Sequence, residues 1–269
     1  MPRRAFLRTA VFATLLPLAV GALAQAAPGL PKTLRLAMEG GYPPFSSVAP
    51  DGRIVGFDAD IAAEICRRLQ VSCTQVKMEF DATIPALRAK KVDAIVASMS
   101  ITPERQKVVA FTDKYYQTPA RVVTRADAKF EATPAGLKGR RLGVQRNTIH
   151  DRFATATFKE AEIVRYSKQD DVFLDLVSGR IDATLADVVA ADQGFLKTPK
   201  GQGYAFRGPS YDDPAFFGVG AGIALRQSDT ALLAAMNAAL AAMRADGTYK
   251  KLNDKYFSFD IYGAELKKK

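Results

Sequence analysis

Apolar residues along the chain form short runs that alternate with stretches of helical spacing. TLRLAM, residues 33–38, predicts a β-strand, as do CTQVKM and VDAIVAS, and TIPALRAKK between the last two predicts a helix. Ile61, Ile65 and Leu69 in GFDADIAAEICRRLQ predict another helix, and Asp58 is its expected N-cap. This alternation is typical of an α/β fold with mostly parallel sheets flanked by helices.

A second series of the same kind begins after DKYYQTPARVVT. GRRLGVQ, EIVRYS and RIDATLAD predict strands, and NTIHDRFATATF and DDVFLDLVSG predict helices. ALRAKKVDAIVAS and DLVSGRIDATLAD form a weak repeat, which suggests two lobes of similar build. The strand GAGIALRQ and an alanine-rich helix with an apolar stripe, DTALLAAMNAALAAMRADG, complete the pattern.

No proline-rich linker separates the two series, so short crossings between the lobes are expected near residues 117–119 and 217–220. A cleft between two α/β lobes is a preferred place for a ligand, and the loops after the strands face it. The loops to examine are EGGYPPF, KMEFDAT, SMSITPERQ, VQRNTIHD and LADVVA.

The loop SMSITPERQ contains an unusual helix start. Thr102 is a predicted N-cap and Pro103 the first helical residue, yet Arg105 brings a cation to the end of the helix that favours negative charge. Ser98, Ser100 and Thr102 are expected to alternate onto one face of the outgoing strand. Arg105 is therefore either a solvated surface residue or part of a site for an external anion.

Composition is typical of a globular protein, with 48% apolar and 25% charged residues. Residues 1–26 combine three arginines, an apolar run too short for a membrane span and small residues that offer cleavage after Ala24 or Ala26. They predict a signal peptide and a periplasmic location, with the general secretory route favoured over twin-arginine export.

Charge and cysteine content exclude several functions. The net charge of +10 falls to +7 without the arginines of the leader, and the basic residues are dispersed among acids, so no nucleic-acid partner is expected. Cys66 and Cys73 predict a structural disulfide in an oxidising compartment, in preference to a catalytic thiol. A metal site would need more ligands than the single histidine, His150, can add.

Nine landmarks, in this order, resemble the periplasmic binding proteins for basic amino acids. They are YPPF, GFDADIAAEIC, IPALRAKKVDAI, SITPERQK, AFTDKYY, GRIDA, GFLK, FGVGAGIALR and MRADGTYKKLNDKYF. These relatives are the lysine/arginine/ornithine-, histidine- and arginine-binding components of ABC importers, and the resemblance covers residues 34–263. It implies two lobes, each a mixed, mostly parallel sheet flanked by helices, joined by two short hinge strands. The implied division is a signal peptide over 1–26, a first lobe over 27–117 and 218–269, and a second lobe over 118–217.

The resemblance also implies roles for single residues. Arg105 would hold the α-carboxylate of an amino acid, helped by the backbone N–H groups of Ser100 and Ile149. The family usually has Thr at position 149, so a hydroxyl is lost there. The Ser98 region, Ser100 and Asp187 would meet the α-ammonium, which needs an anion when it is buried.

Tyr42 and Phe80 would enclose the aliphatic part of the ligand; the alternative is that both are core aromatics. Glu39 would meet a cationic side chain, unless it is a loop acid in water, and it favours arginine over lysine, ornithine or histidine because a carboxylate can pair with a guanidinium through two hydrogen bonds. Ala97 and Gln145 also favour arginine. The expected ligand-binding residues are Glu39, Tyr42, Asp58, Phe80, Ala97, Ser98, Met99, Ser100, Arg105, Gln145, Thr148, Ile149 and Asp187.

Arg146 and Asn147 depart from the pattern of the relatives and leave the outer half of the pocket open to question. His150 is expected to be a solvated helix residue, or one behind the ligand contacts, with no chemical role. The favoured function is that of a monomeric binding protein with a membrane permease as partner and no cofactor. The alternatives are a dehydratase-like enzyme on the same scaffold, which would need a general acid in the cleft, and a ligand-sensing receptor component.

Overall fold

The computed structural model describes residues 30–263. Its strands lie where the sequence shows apolar runs. The predicted signal peptide and the last six residues lie outside this range. One strand has the predicted bounds at both ends, whereas the last strand of the chain is much shorter than GAGIALRQ. In chain order the strands are β1 (Thr33–Met38), β2 (Gly41–Tyr42), β3 (Ser46–Val48), β4 (Ile54–Val55), β5 (Ser72–Lys77), β6 (Ala94–Ile95), β7 (Ala110–Phe111), β8 (Ala120–Arg125), β9 (Arg141–Gln145), β10 (Glu162–Tyr166), β11 (Ala183–Asp187), β12 (Tyr204–Tyr211) and β13 (Ala224–Leu225).

The helices follow the stretches with helical periodicity, with one correction to a predicted cap. The first helix begins at Phe57 with Gly56 as its N-cap, so Asp58 lies inside the first turn and its prediction as N-cap was wrong. The helices are α1 (Phe57–Leu69), α2 (Phe80–Arg88), α3 (Pro103–Gln106), α4 (Ile149–Thr157), α5 (Gln169–Val177), α6 (Val188–Ala191), α7 (Pro214–Phe217), α8 (Thr230–Ala245) and α9 (Thr248–Tyr256), with a π-helical turn (Asp192–Leu196) and a 3-10 turn (Pro199–Gly201) after α6.

Two five-stranded sheets form the two lobes. The first lobe has the strand order β5-β1-β6-β13-β7 and the second has β10-β9-β11-β8-β12. In each sheet two pairs are parallel and two are antiparallel, so both are mixed, as predicted, but not mostly parallel. The antiparallel pairs all involve β13 or β8, and each of these strands follows a crossing of the chain from the other lobe.

The two crossings run side by side between the lobes. One leads from β7 to β8 and the other from β12 to β13, and they meet where Tyr116 pairs with Ala221. Gly218 and Gly220 have positive φ angles of 73° and 118°, a region that favours glycine. A Cβ on Gly218 would lie 2.0 Å from the backbone oxygen of Ile101, so the close approach of the chain segments here also requires glycine.

Each sheet is covered by apolar side chains on both faces, which fixes the strand ends that face the cleft. In the first lobe α1, α8 and α9 pack on one face, with Phe57, Ile61 and Met236 in the shared core. In the second lobe Phe153 and Phe195 belong to clusters on opposite faces. Cys66 and Cys73 form the predicted disulfide between the end of α1 and β5. Within residues 30–263, no helix combines the length and the apolar composition that a membrane crossing requires.

Candidate ligand-binding site

A cavity lies between the two lobes, at the carboxyl ends of their parallel strands. Glu39 follows β1 and Phe80 follows β5, while Gln145 and Asp187 are the last residues of β9 and β11. All but two of the predicted site residues line this cavity. They are Glu39, Tyr42, Phe80, Ala97, Ser98, Ser100, Arg105, Gln145, Thr148, Ile149 and Asp187.

The other two predicted residues, Asp58 and Met99, do not line the cavity. Met99 is buried in an apolar cluster of the first lobe. Asp58 has no exposed surface, and its carboxylate accepts hydrogen bonds from Ser98 Oγ at 2.9 Å and from the Tyr115 hydroxyl at 2.8 Å. Burial raises the pKa of Asp58 to about 7, against the opposing effect of these two bonds. Asp58 therefore holds Ser98 in place from behind the cavity wall.

Ser98 does not continue the strand, which corrects the predicted alternation of Ser98, Ser100 and Thr102. β6 ends at Ile95, and Ser98 has a φ of 52°, so the period of two is broken before Ser100. Ser98 and Ser100 still reach the cavity, whereas Thr102 is buried and its hydroxyl accepts a hydrogen bond from the N–H of Arg105 at 3.3 Å. Thr102 is the predicted N-cap.

Arg105 is a cation without a counter-ion in the described part of the chain. Its guanidinium donates to the backbone oxygen of Ser100 at 3.0 Å and, across the cleft, to that of Asn147 at 3.2 Å. It lies 5.4 Å from the centre of the Phe80 ring. Burial, with the nearby charge of Arg152, lowers the pKa of Arg105 to about 10. A desolvated guanidinium without an acidic partner favours the binding of an anion.

Glu39 is an acid without a cationic partner among residues 30–263. Its side chain is 4% exposed, and its Oε1 accepts a hydrogen bond from Gln145 Nε2 at 2.7 Å. Gln145 also donates to the backbone oxygen of Ser167, which fixes the amide that holds the carboxylate. Burial raises the pKa of Glu39 to about 8, and the charges of Glu79 and Asp170 act in the same direction. A cation that enters the cavity would remove this penalty.

Asp187 is the second buried acid of the cavity that has no cationic partner among residues 30–263. It is 6% exposed and is also the N-cap of α6, because its Oδ1 accepts from the N–H groups of Val189 and Ala190 at 2.8 and 3.0 Å. The hydroxyl of Thr118 donates to Oδ2. Burial raises the pKa of Asp187 to about 6, while these hydrogen bonds act in the opposite direction. Its charge is oriented by its neighbours but not neutralised.

Among residues 30–263, three ion pairs join the lobes outside the cavity, and we call them the rim pairs. Asp81 pairs with Arg146 at 2.6 Å, Glu79 with Lys168 at 3.4 Å, and Glu104 with Arg152 at 2.6 Å. The Arg146 side chain is about half exposed and is not part of the cavity wall. Arg146 therefore does not bring a positive charge into the outer half of the pocket.

Several cavity residues were not predicted from the sequence. His150, expected to be solvated or behind the ligand contacts, is buried in the cavity wall. Tyr116, Gln117 and Thr118 belong to the first crossing, which the sequence marked as a boundary only. The further lining residues are Asp212, Phe217, Gly218, Gly220 and Ala221. No group of three or more His, Cys, Asp or Glu side chains that could hold a metal ion occurs within residues 30–263.

A model of the bacterial extracellular solute-binding proteins, family 3, matches residues 34–259. The chain belongs to this family. An L-arginine-binding protein of Pseudomonas aeruginosa is 48% identical over 252 residues, which span 91% of this chain and 97% of that protein. A histidine-binding periplasmic protein of Salmonella typhimurium is 46% identical over 250 residues, or 92% of this chain and 96% of that protein.

Solved structures support the same two-lobed fold for this member of the solute-binding family. A periplasmic binding protein of Salmonella typhimurium, described as having high arginine specificity, superposes with a TM-score of 0.79 at 35% sequence identity. The superposition covers 85% of this chain and 100% of that chain. This chain thus shares its family and its fold with proteins whose names describe them as binding amino acids.

Proposed function

We propose that this protein is the periplasmic solute-binding component of an ABC importer, and that it binds an L-amino acid with a cationic side chain, arginine before lysine, ornithine or histidine. The observation that carries the proposal is the set of buried ionisable groups in the cavity that have no oppositely charged partner among residues 30–263: Arg105, Glu39 and Asp187. A zwitterion with one further positive charge has the complementary set. Its burial would neutralise all three protein groups.

Each unpaired charge has a proposed partner on the ligand. Arg105 holds the α-carboxylate, and the N–H groups of Ser100 and Ile149 add hydrogen bonds. Asp187 meets the α-ammonium, and Glu39 meets the guanidinium. Glu39 keeps Oε2 free for the ligand because Gln145 donates to Oε1. Tyr42 and Phe80 enclose the aliphatic stem, Ala97, Ser98 and Thr148 complete the wall, and Asp58 acts by holding Ser98.

We further propose that the site binds its ligand without chemical change. Both buried acids have proposed roles as partners for ligand cations, and in their ionised form they would repel a substrate dianion. A dehydratase-like enzyme is therefore disfavoured. We also propose that the partner is a membrane permease, that the protein is a monomer, that cleavage follows Ala24 or Ala26, and that the lobes divide near residues 117 and 217.

Calorimetric titration of refolded, ligand-free protein tests the binding function. Refolding removes any amino acid carried through purification. We expect saturable binding of L-arginine, with weaker binding of L-lysine, L-ornithine and L-histidine, and no heat with L-glutamate as the charge-reversed control. Binding of L-glutamate or of neutral amino acids in preference to all four cationic ones would contradict the proposal.

A further inference from the structure

His150 is the only histidine of the chain, and its side chain has no role in the contacts proposed so far. It is the second residue of α4, is 7% exposed and lines the cavity together with Arg105 and Phe217. The imidazole lies 6.1 Å from the centre of the Phe217 ring, and its nitrogens have no hydrogen-bond partner among the described residues. These nitrogens are not among the fully buried polar atoms that lack a partner, so they remain accessible from the cavity.

The charge next to His150 is that of Arg105. Burial, together with this guanidinium, lowers the pKa of His150 to about 3, so the imidazole is neutral near pH 7. A neutral imidazole carries one N–H donor and one acceptor nitrogen. His150 therefore adds a donor beside Arg105 without adding a second positive charge.

The start of α4 supplies further donors at the same place. Thr148 is the N-cap, and its hydroxyl accepts from the N–H of Asp151 at 3.2 Å while it donates to the backbone oxygen of Gln145 at 2.7 Å. The N–H groups of Ile149 and His150 have no acceptor within residues 30–263. The first N–H groups of a helix favour an anion, and here the imidazole of His150, which has no hydrogen bond to the described residues, lies in the same cavity wall.

We propose that the neutral imidazole of His150 donates a hydrogen bond to the α-carboxylate of the bound amino acid, next to the guanidinium of Arg105. This inference rests on the proposed function and extends it, because it assigns part of the selection for a free carboxylate to a residue outside the expected set. A packing role against Phe217 is the alternative. Packing alone would not respond to the ligand's carboxyl group.

Nuclear magnetic resonance can observe this contact directly, because one histidine gives one set of imidazole signals. Protein labelled with ¹³C and ¹⁵N is purified without a polyhistidine tag, refolded free of ligand and titrated with L-arginine. We expect the imidazole signals to shift to those of a single tautomer and to saturate together with the backbone amides. Unchanged imidazole signals with saturating amide signals would overturn the inference alone. Amide signals that never respond would overturn the proposed function, and this inference with it.

Two substitutions separate the donor from the ring. His150→Gln keeps a side-chain N–H, whereas His150→Phe keeps a ring and removes the donor. We expect His150→Phe to weaken L-arginine binding about tenfold or more, because hydrogen bonds to a charged group are strong, and His150→Gln to stay within about threefold of wild type. Melting curves check that both variants fold.

A packing role predicts that His150→Gln weakens L-arginine binding more than His150→Phe does. That result would overturn the inference. The difference in affinity between the two variants should also shrink when L-argininamide replaces L-arginine. A neutral amide oxygen accepts a weaker hydrogen bond than a carboxylate. An equal gap for both ligands would place the imidazole away from the carboxyl end and would also overturn the inference.

Discussion

The charged groups inside the cavity differ from those of the rim pairs in how they are neutralised. Inside, Arg105, Glu39 and Asp187 are desolvated and have no oppositely charged partner among residues 30–263. At the rim each acid of the first lobe already faces a base of the second lobe, as Asp81 faces Arg146 at 2.6 Å. Opposite charges are therefore paired at the rim, whereas the buried charged groups of the cavity await a partner from the ligand.

This difference assigns separate tasks to the two regions. Unpaired buried charges are costly, so a ligand with complementary charges gains a large free energy by entering the cavity. Partly exposed ion pairs contribute about 0–1 kcal/mol each and are screened by salt. Affinity and selectivity should therefore come from the cavity, whereas the rim pairs adjust how readily the lobes close.

The largest expected effect is that of Arg105→Ala on arginine binding. Removal of one partner of a buried charge pair costs about 3–5 kcal/mol, which corresponds to a loss of about a hundredfold or more in affinity. Calorimetry measures the loss, and circular dichroism checks the fold. Arg146→Ala is the matched control, since it removes an arginine side chain from the rim instead of the cavity and should weaken binding only a few-fold. Equal losses in both variants would break the distinction between cavity and rim.

A smaller effect is expected from pH, because arginine binding should release a proton from Glu39. Burial raises the pKa of Glu39 to about 8 from its ordinary 4.5, and a bound guanidinium favours the carboxylate and lowers this pKa again. Affinity should therefore fall as pH decreases from about 8 towards 4.5, by up to about tenfold per pH unit for one linked proton. Below about 6, protonation of Asp187 acts in the same direction.

Titrations at pH 7 in buffers of different ionisation enthalpy measure the released proton. The observed heat of binding should change with the buffer for wild type, and Glu39→Gln should remove most of that change. A heat that does not depend on the buffer would show that Glu39 is already ionised in the free protein. That result would leave the contrast between cavity and rim in place but would contradict the raised pKa of Glu39.

The smallest expected effect concerns salt and the rim pairs. Raising the ionic strength should weaken arginine binding slightly, because it screens the partly exposed pairs that hold the lobes together. In Arg146→Ala this dependence should decrease, since the pair with Asp81 is gone. The measurement is the dissociation constant at low and high sodium chloride for both proteins. An unchanged salt dependence in the variant would mean that this pair makes no contribution to closure.

Local chemistry made much of the fold predictable. Thr102 caps its helix as the sequence indicated, and β1 has its predicted bounds. The cysteines at positions 66 and 73 pair as expected for an exported chain. Hydroxyl caps, periodicity and cysteine spacing act within a few residues, so their signals can be interpreted without knowledge of distant contacts.

Contacts between distant segments decided what the sequence did not show. Ser98 leaves the strand conformation, and Asp58, forty residues earlier in the chain, holds its hydroxyl. His150 looked like a solvated helix residue because its burial depends on Phe217 and on the other lobe. Periodicity within a short helix cannot report which of its residues a second lobe will cover.

The central claim is that a buried, unpaired carboxylate in the cavity selects a cationic side chain. Calorimetric titration of refolded wild-type protein with L-arginine and L-citrulline tests it most directly, because the two ligands are nearly isosteric and differ in the charge that Glu39 would meet. The account predicts that arginine binds at least about thirtyfold more tightly, since hydrogen bonds to a charged group are strong, and that Glu39→Gln narrows this difference. Citrulline binding as tightly as arginine to wild-type protein would contradict the account.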